Sequence, residues 1–306
     1  MKLTNKFGLP DTIVNVLKRP TYSKGKAHIS ATELINSPRI VQLKRLHWDD
    51  IEEDASSMVW SLFGSAVHNI LEHGKDEHHI VEERIHVLFE GWNISGAVDL
   101  QEVYEDGIVI NDYKTTTAWA VTNDKPEWEE QLNIYSWLIQ KAKKVPVKQL
   151  RIVAIIRDWS ARDAVNREGY PQAPIVIIDQ PLWPFKQAED FILNRLQLHG
   201  EAYFESETDG KVAECTPEEM WEKPSLWAVM KEGNVRAKCV MPSEHEAQVY
   251  MEDIQKQKPK DKYFIQLRPG ERTRCASYCQ VNRFCTQYQK YLSENSQTIE
   301  IVEDKE

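Results

Sequence analysis

Val59, Phe63, Ala66 and Ile70 recur at helical spacing and predict a helix over about 55–73, with Gly74 at its end. Apolar positions then alternate with polar ones over about 79–88, 92–104 and 108–116, which predicts three strands. Pro126 opens a further helix that runs to about 143. "LRIVAII" at 150–156 and "PIVIIDQPL" at 174–182 read as two more strands, and a helix over about 184–199 is ended by Gly200. Ahead of all these, Ser30-Ala-Thr-Glu33 is a capping box, so a helix starts there. The order of helix, three strands, helix, strand, strand, helix predicts a mixed α/β core. Four regions are expected: a helical N-terminal segment over 1–54 packed on the core, the core itself over 55–200, a loop-rich extension with short helices over 201–290, and a frayed acidic tail over 291–306.

Charged residues interrupt this pattern at one place. "NDYKTT", 111–116, sets Asp112 and Lys114 two apart on a strand whose earlier alternate positions, Ile108 and Ile110, belong to a core. The preceding "VYEDGIVI" carries Asp106-Gly107, a signal for a type I′ hairpin. With those two residues as the loop, Glu105 faces Ile108, Asp99 lies across from Lys114, and Asp112 is the diagonal neighbour of Asp99. Two carboxylates and an ammonium gathered in this way form either a structural ion pair or a metal site with a reacting group beside it.

Composition narrows the choice only a little. The chain has 306 residues, 41% of them hydrophobic, which suits a globular protein with a full core. Its net charge of −10, from 48 acidic and 38 basic side chains, is a poor signature for a protein that coats nucleic acid, although carboxylates that hold metal ions add to the acidic total. No run of about 18 apolar residues exists to span a membrane, and "MKLTNKFGLP" has no signal-peptide core. Five cysteines in such a chain point to a reducing, cytoplasmic setting. Cys275, Cys279 and Cys285 are spaced C-x3-C-x5-C, which reads either as a second metal site or as a set of plain thiols. Cys215, Cys239 or His245 are candidates for a fourth ligand, with zinc as a candidate metal.

Four motifs follow one another in order. These are G-x-x-x-H at Gly64 and His68, S-G-A-V-D with Gly96 and Asp99, D-Y-K with Asp112 and Lys114, and Q-x-x-x-Y at Gln131 and Tyr135. The set resembles the PD-(D/E)XK nuclease superfamily, in its branch of RecB-type and Cas4-like exonucleases. The likeness to phage-encoded members extends to "IRDWS" at 156–160, "GYP" at 169–171 and "RPGERTRCASYC" at 268–279.

The resemblance implies a restriction-endonuclease-like α/β core, a mixed central sheet flanked by helices. It implies Mg²⁺ or Mn²⁺ held by Asp99 and Asp112, with His68 and the Tyr113 backbone carbonyl as further ligands. Lys114 is then the catalytic lysine, and Gln131 and Tyr135 position water and phosphate. Glu83 either supports the site or is a solvated strand residue. Arg157 and Arg162 are candidates to hold the DNA backbone. The implied reaction is hydrolysis of DNA phosphodiesters at strand ends, in recombination, repair or replication. The three late cysteines are implied to hold a [4Fe–4S] cluster, but Ser37 stands before Pro38-Arg39 where the resemblance expects the fourth cysteine. No P-loop motif is present, so unwinding would fall to a helicase partner, and a recombinase or a single-strand-binding protein are the other implied partners. The alternatives are a silent nuclease fold that only binds DNA and an accessory subunit of a helicase–nuclease.

Overall fold

The computed structural model describes residues 1–18, 24–208 and 211–303, with side chains to residue 295. The chain divides into two compact units, Met1–Val212 and Ala213–Glu306.

The first unit runs β1 (Lys2–Thr4), α1 (Asp11–Leu17), β2 (Ile29–Ser30), α2 (Ala31–Leu34), α3 (Pro38–Leu46), β3 (Glu52–Asp54), a 3₁₀ turn at Ala55–Met58, then α4 (Val59–Glu72). It continues with β4 (His79–Phe89), β5 (Trp92–Tyr104), β6 (Gly107–Thr116), α5 (Ala118–Thr122), α6 (Pro126–Lys143), β7 (Val147–Ile156), α7 (Ala161–Asn166), β8 (Ile175–Gln180) and α8 (Phe185–Thr208). The central sheet has the order β2-β5-β6-β7-β8, with β4 also paired to β5. It is mixed: β2–β5 and β6–β7 are parallel, and the other pairs are antiparallel. The expected α/β core with a mixed central sheet and flanking helices is therefore present.

Local chemistry explains several boundaries. The Ser30 hydroxyl accepts from the Glu33 amide while the Glu33 carboxylate accepts from the Ser30 amide at 2.9 Å, the reciprocal capping box. α6 begins at Pro126 and ends where Lys144 takes a left-handed φ of 59°. Its Leu132, Ile134, Trp137, Leu138 and Ile139 have no exposed surface, so this helix forms the centre of the core against the sheet and α8. Each such side chain contributes about 1.5–3 kcal/mol by burial. "IRDWS" and "GYP" are tied together: the Tyr170 hydroxyl accepts from the Ser160 amide, Trp159 Nε1 donates to the Pro171 carbonyl, and Asp158 accepts from the Ala118 amide to start α5.

Several sequence expectations need correction. The N-terminal segment is not only helical, because Ile29–Ser30 joins the sheet beside Ile94 and Ser95. Gly200 does not end the helix that precedes it. α8 continues to Thr208, with His199 and Ala202 both buried along its core-facing side. In α4, Val59, Phe63 and Ile70 are largely exposed, and no residue of that helix is buried. Its apolar stripe points outward, while Gly64 and His68 face the sheet.

The hairpin register also differs. Tyr104 pairs with Gly107, so Glu105 and Asp106 form the loop and Gly107 begins β6. The positive φ of the turn, 142°, falls on Gly107, and a Cβ there would lie 2.7 Å from the Pro146 carbonyl oxygen. That carbonyl accepts from the Ile108 amide. Close approach to Pro146, and not a type I′ turn, is why this position is glycine. The pairing shifts by two residues, which brings Asp99 level with Asp112 instead of Lys114.

The second unit is less loop-rich than expected. It contains β9 (Glu222–Lys223), β10 (Leu226–Lys231), β11 (Cys239–Met241), α9 (Glu244–Gln257), β12 (Tyr263–Arg268), β13 (Glu271–Arg272), α10 (Thr273–Ser277), a 3₁₀ turn at Asn282–Phe284 and α11 (Thr286–Glu303). β10 is flanked by β11 and β12 in an antiparallel sheet that buries Ala228, Val229 and Met230. α11 carries most of the segment expected to fray, and residues 304–306 lie outside the described residues.

Candidate active site

The ladder between β5 and β6 ends at the pair Leu100–Asn111. Beyond it the strands part, and the Asp99 carboxylate fills the fork: its Oδ2 accepts from the Tyr113 amide at 2.8 Å. The site is built in that fork.

α4 supplies one wall. An ideal Cβ on Gly64 would sit 3.3 Å from Thr115 Oγ1, so the helix lies close against β6 there. One turn on, His68 Nε2 is 3.1 Å from the Tyr113 carbonyl oxygen, and His68 Nδ1 is 3.2 Å from Glu82 and 3.6 Å from Asp99. β4 supplies Glu82, whose backbone takes a φ of 48°, a costly conformation for a side-chain-bearing residue. The β4–β5 pairing runs through Val81–Leu100 and Glu83–Val98, so Glu82 is level with Asp99.

α6 supplies the other wall. Lys114 Nζ is 2.7 Å from Asp112 Oδ2 and donates to Gln131 Oε1 at 3.0 Å. Gln131 Nε2 donates to the Tyr135 hydroxyl at 2.6 Å and reaches Asp112 Oδ1 at 3.4 Å. Asp112 is 1% exposed and Asp99 8%. The Asp112 Oδ2 atom is buried and has no aligned hydrogen bond, although the Lys114 ammonium stands beside it. Gly96 brings β5 against this wall. A Cβ there would lie 2.8 Å from both Leu138 and the Tyr135 ring.

The charges are tightly interdependent. Burial, then the neighbouring Asp112 charge, pushes Asp99 up to about 8. The hydrogen bond to Glu82, reinforced by the Asp99 charge, raises His68 to about 9 against the opposing effect of burial. Burial opposes the charge on Lys114, but Asp112 outweighs it and holds the ammonium above the usual lysine value.

Such a set of acidic groups fits a divalent cation. His68, Glu82 and Asp99 each offer a ligand atom within 4.8 Å of one another. With the Tyr113 carbonyl and the buried Asp112 carboxylate close by, the donors are mostly hard oxygens with one imidazole, which suits magnesium or manganese.

The residues of the four sequence motifs are thus drawn to one fork, but the set of close ligand atoms differs from the expected one. Glu82, overlooked in the sequence, joins His68 and Asp99. Glu83 turns away and is held by Gln101 at 2.7 Å and by Lys143. Asp112 faces Lys114 and Gln131 and is not one of the three mutually close ligands. Arg157 follows β7 directly. Its amide donates to the Thr116 carbonyl, and its guanidinium lies over Trp60 of α4. Arg162 is exposed on α7.

In the second unit, Cys275 is pushed up to about 11, first by burial and then by Cys279 and Cys285; among the described residues the three thiols do not form a set mutually within 4.8 Å, as His68, Glu82 and Asp99 do. The Cys215 amide donates to Gln287, and the Cys215 carbonyl accepts from it, which ties Cys215 to the segment just after Cys285. Cys239 sits instead in β11, near Met241. Ser37 is buried in the first unit, ahead of Pro38.

No curated protein matches the chain. A solved structure described as "Crystal structure of SSO0001" is similar at 17% identity, with 61% of this chain and 83% of that one covered and a TM-score of 0.42. The family model of the PD-(D/E)XK nuclease superfamily matches residues 64–286, which take in all four motifs and the cysteine cluster. The chain belongs to the PD-(D/E)XK nuclease superfamily.

Proposed function

We propose that the protein is a Mg²⁺- or Mn²⁺-dependent deoxyribonuclease that hydrolyses phosphodiester bonds at DNA ends, in recombination, repair or replication. The observation that carries this reading is the convergence of His68, Glu82, Asp99 and the buried Asp112 on one fork, with Lys114 beside them. The order of the four motifs, which resembles RecB-type and Cas4-like exonucleases, supports end-directed cleavage, and the wider likeness at 156–160, 169–171 and 268–279 supports a phage-encoded origin. No described helix is long and apolar enough to cross a membrane.

In this reading His68, Glu82 and Asp99 hold the cation, with the Tyr113 carbonyl and Asp112 next to them. Bound there, the ion would supply Lewis-acid polarisation of the scissile phosphate and acidify water. The chain's own groups do the rest. Lys114, fixed by Asp112 and Gln131, orients the attacking water and stabilises charge that builds on the phosphate oxygens. Tyr135 holds Gln131 in place through its hydroxyl. Arg157 is the better placed of the two candidate backbone contacts, because it is tied to the end of β6. Cys215, Cys275, Cys279 and Cys285 form a candidate second metal site for zinc or a [4Fe–4S] cluster, a staple of the second unit that takes no part in catalysis. A helicase, a recombinase or a single-strand-binding protein is the partner class this role would call on.

End-labelled linear DNA, single-stranded and duplex, incubated with Mg²⁺ beside closed circles tests the proposal. Stepwise loss of label from linear DNA with intact circles is expected. Cutting of closed circles at the same rate would replace the exonuclease with an endonuclease, and no cutting of any DNA would leave a silent binding fold.

A further inference from the structure

Trp60 is 52% exposed on a helix that buries none of its residues, and Phe63, 40% exposed, meets its ring edge-on at 6.5 Å. Such aromatic surface is costly to leave in water unless something covers it. The Arg157 guanidinium lies 4.1 Å from the Trp60 ring centre, and its backbone is fastened to Thr116, two residues beyond Lys114. Trp60, Gly64 and His68 form one i, i+4, i+8 ridge, and that ridge follows β6: Gly64 meets Thr115 and His68 meets Tyr113. Trp60 is therefore about 12 Å from His68 along the helix, a span of about three nucleotides at the stacked rise of one strand.

We propose that Trp60, with Arg157 laid on its ring, is a stacking platform for a base of an unpaired DNA strand, about three nucleotides from the scissile phosphate. This rests on the reading of the site as a DNA nuclease and adds that single-stranded ends are its preferred substrate. A duplex hides the faces of its bases, whereas an unpaired strand offers them for stacking on an indole. The guanidinium serves both ring and phosphate, being planar and permanently charged. In a chain with a net charge of −10, a cation seated on an exposed indole beside a carboxylate site is suited to a ligand that joins a flat ring to an anion. The same pairing recurs five residues past Lys114: Trp119 is 63% exposed, with Lys125 Nζ 4.9 Å from its ring centre.

The test compares wild type, Trp60→Ala and Trp60→Phe on a short single-stranded oligonucleotide and a blunt duplex of the same sequence. KM and kcat are measured with Mg²⁺, and affinity is measured by anisotropy in EDTA. Trp60→Ala should lower the preference for single strand over duplex about ten-fold, through KM and affinity and not kcat, and Trp60→Phe should restore most of it. An abasic nucleotide at the stacking position should weaken wild type by a similar factor and Trp60→Ala no further. Trp60→Ala with an unchanged preference overturns the platform while wild-type cutting keeps the nuclease reading, and would leave the exposed indole to a protein partner. Wild type that neither binds nor cuts either DNA overturns both.

Discussion

Asp99 Oδ2 accepts from the Tyr113 amide at 2.8 Å in the place where the next ladder bond between β5 and β6 would lie. A side chain has thus replaced a backbone partner, and the fork opened in this way turns the Tyr113 carbonyl toward His68. The acidic cluster follows from that one substitution of partners.

Glu82 and Glu83 should separate cleanly. Glu82→Gln removes a charge from the cluster with His68 and Asp99, so metal affinity measured by calorimetry should fall about ten-fold or more. Glu83→Gln alters an ion pair with Lys143 and should leave metal affinity within about two-fold. Equal losses would place the ligand set elsewhere.

Gly96→Ala should act on the site from behind. Its methyl would press on Leu138 and the Tyr135 ring, whose hydroxyl holds Gln131. Overpacking of this kind costs about 1–3 kcal/mol. The expected result is a lower Tm and a reduced kcat with DNA affinity unchanged. An unchanged kcat would separate Tyr135 from the chemistry.

Metal and pH should act together. Asp99 is raised from 3.8 to about 8 without metal, so the metal-free fold loses stability as pH rises from about 4 through 8. His68 is raised from 6.5 to about 9, so the stability it contributes is complete below 6.5 and is lost as pH rises through 9. Both effects weaken the metal-free protein at alkaline pH, and both groups must shed protons to bind a cation. The rise in Tm on adding Mn²⁺ should therefore be larger at pH 8.5 than at pH 6. An equal rise at both pH values would mean that these two groups are not ligands.

Much of this arrangement was legible in the sequence, and the errors have physical causes. Pro126 locates the start of α6, and the apolar run at 150–156 locates β7, whose Leu150, Ile152 and Ala154 are buried, whereas β8 is legible from its β-branched run although Ile175 and Ile177 are exposed. α4 misleads, since its regular stripe of Val59, Phe63 and Ile70 faces outward and its sheet-facing side holds a glycine and a histidine. Glu83 is implied by the resemblance alone, and the β4–β5 hairpin shows why its neighbour takes the place. Glu90 and Gly91 both take positive φ between the paired Phe89 and Trp92, and counting back from that turn puts Glu82 level with Asp99. The Asp106-Gly107 turn erred for another reason: Gly107 answers to Pro146, a residue of a separate loop that no local signal could bring in. The strands of the second unit are short, and apart from β10 none of them buries a residue, so they leave no apolar period to read.

The central claim is that Lys114 acts on the phosphate and is more than the partner of a buried Asp112. Initial rates of nucleotide release from linear DNA, with Mg²⁺ saturating and DNA affinity measured in parallel, test it most directly. Lys114→Ala should cut about 10²–10³-fold more slowly than wild type while binding DNA within a few-fold. A Lys114→Ala protein that releases nucleotides at the wild-type rate would make the Asp112–Lys114 pair structural and contradict the account.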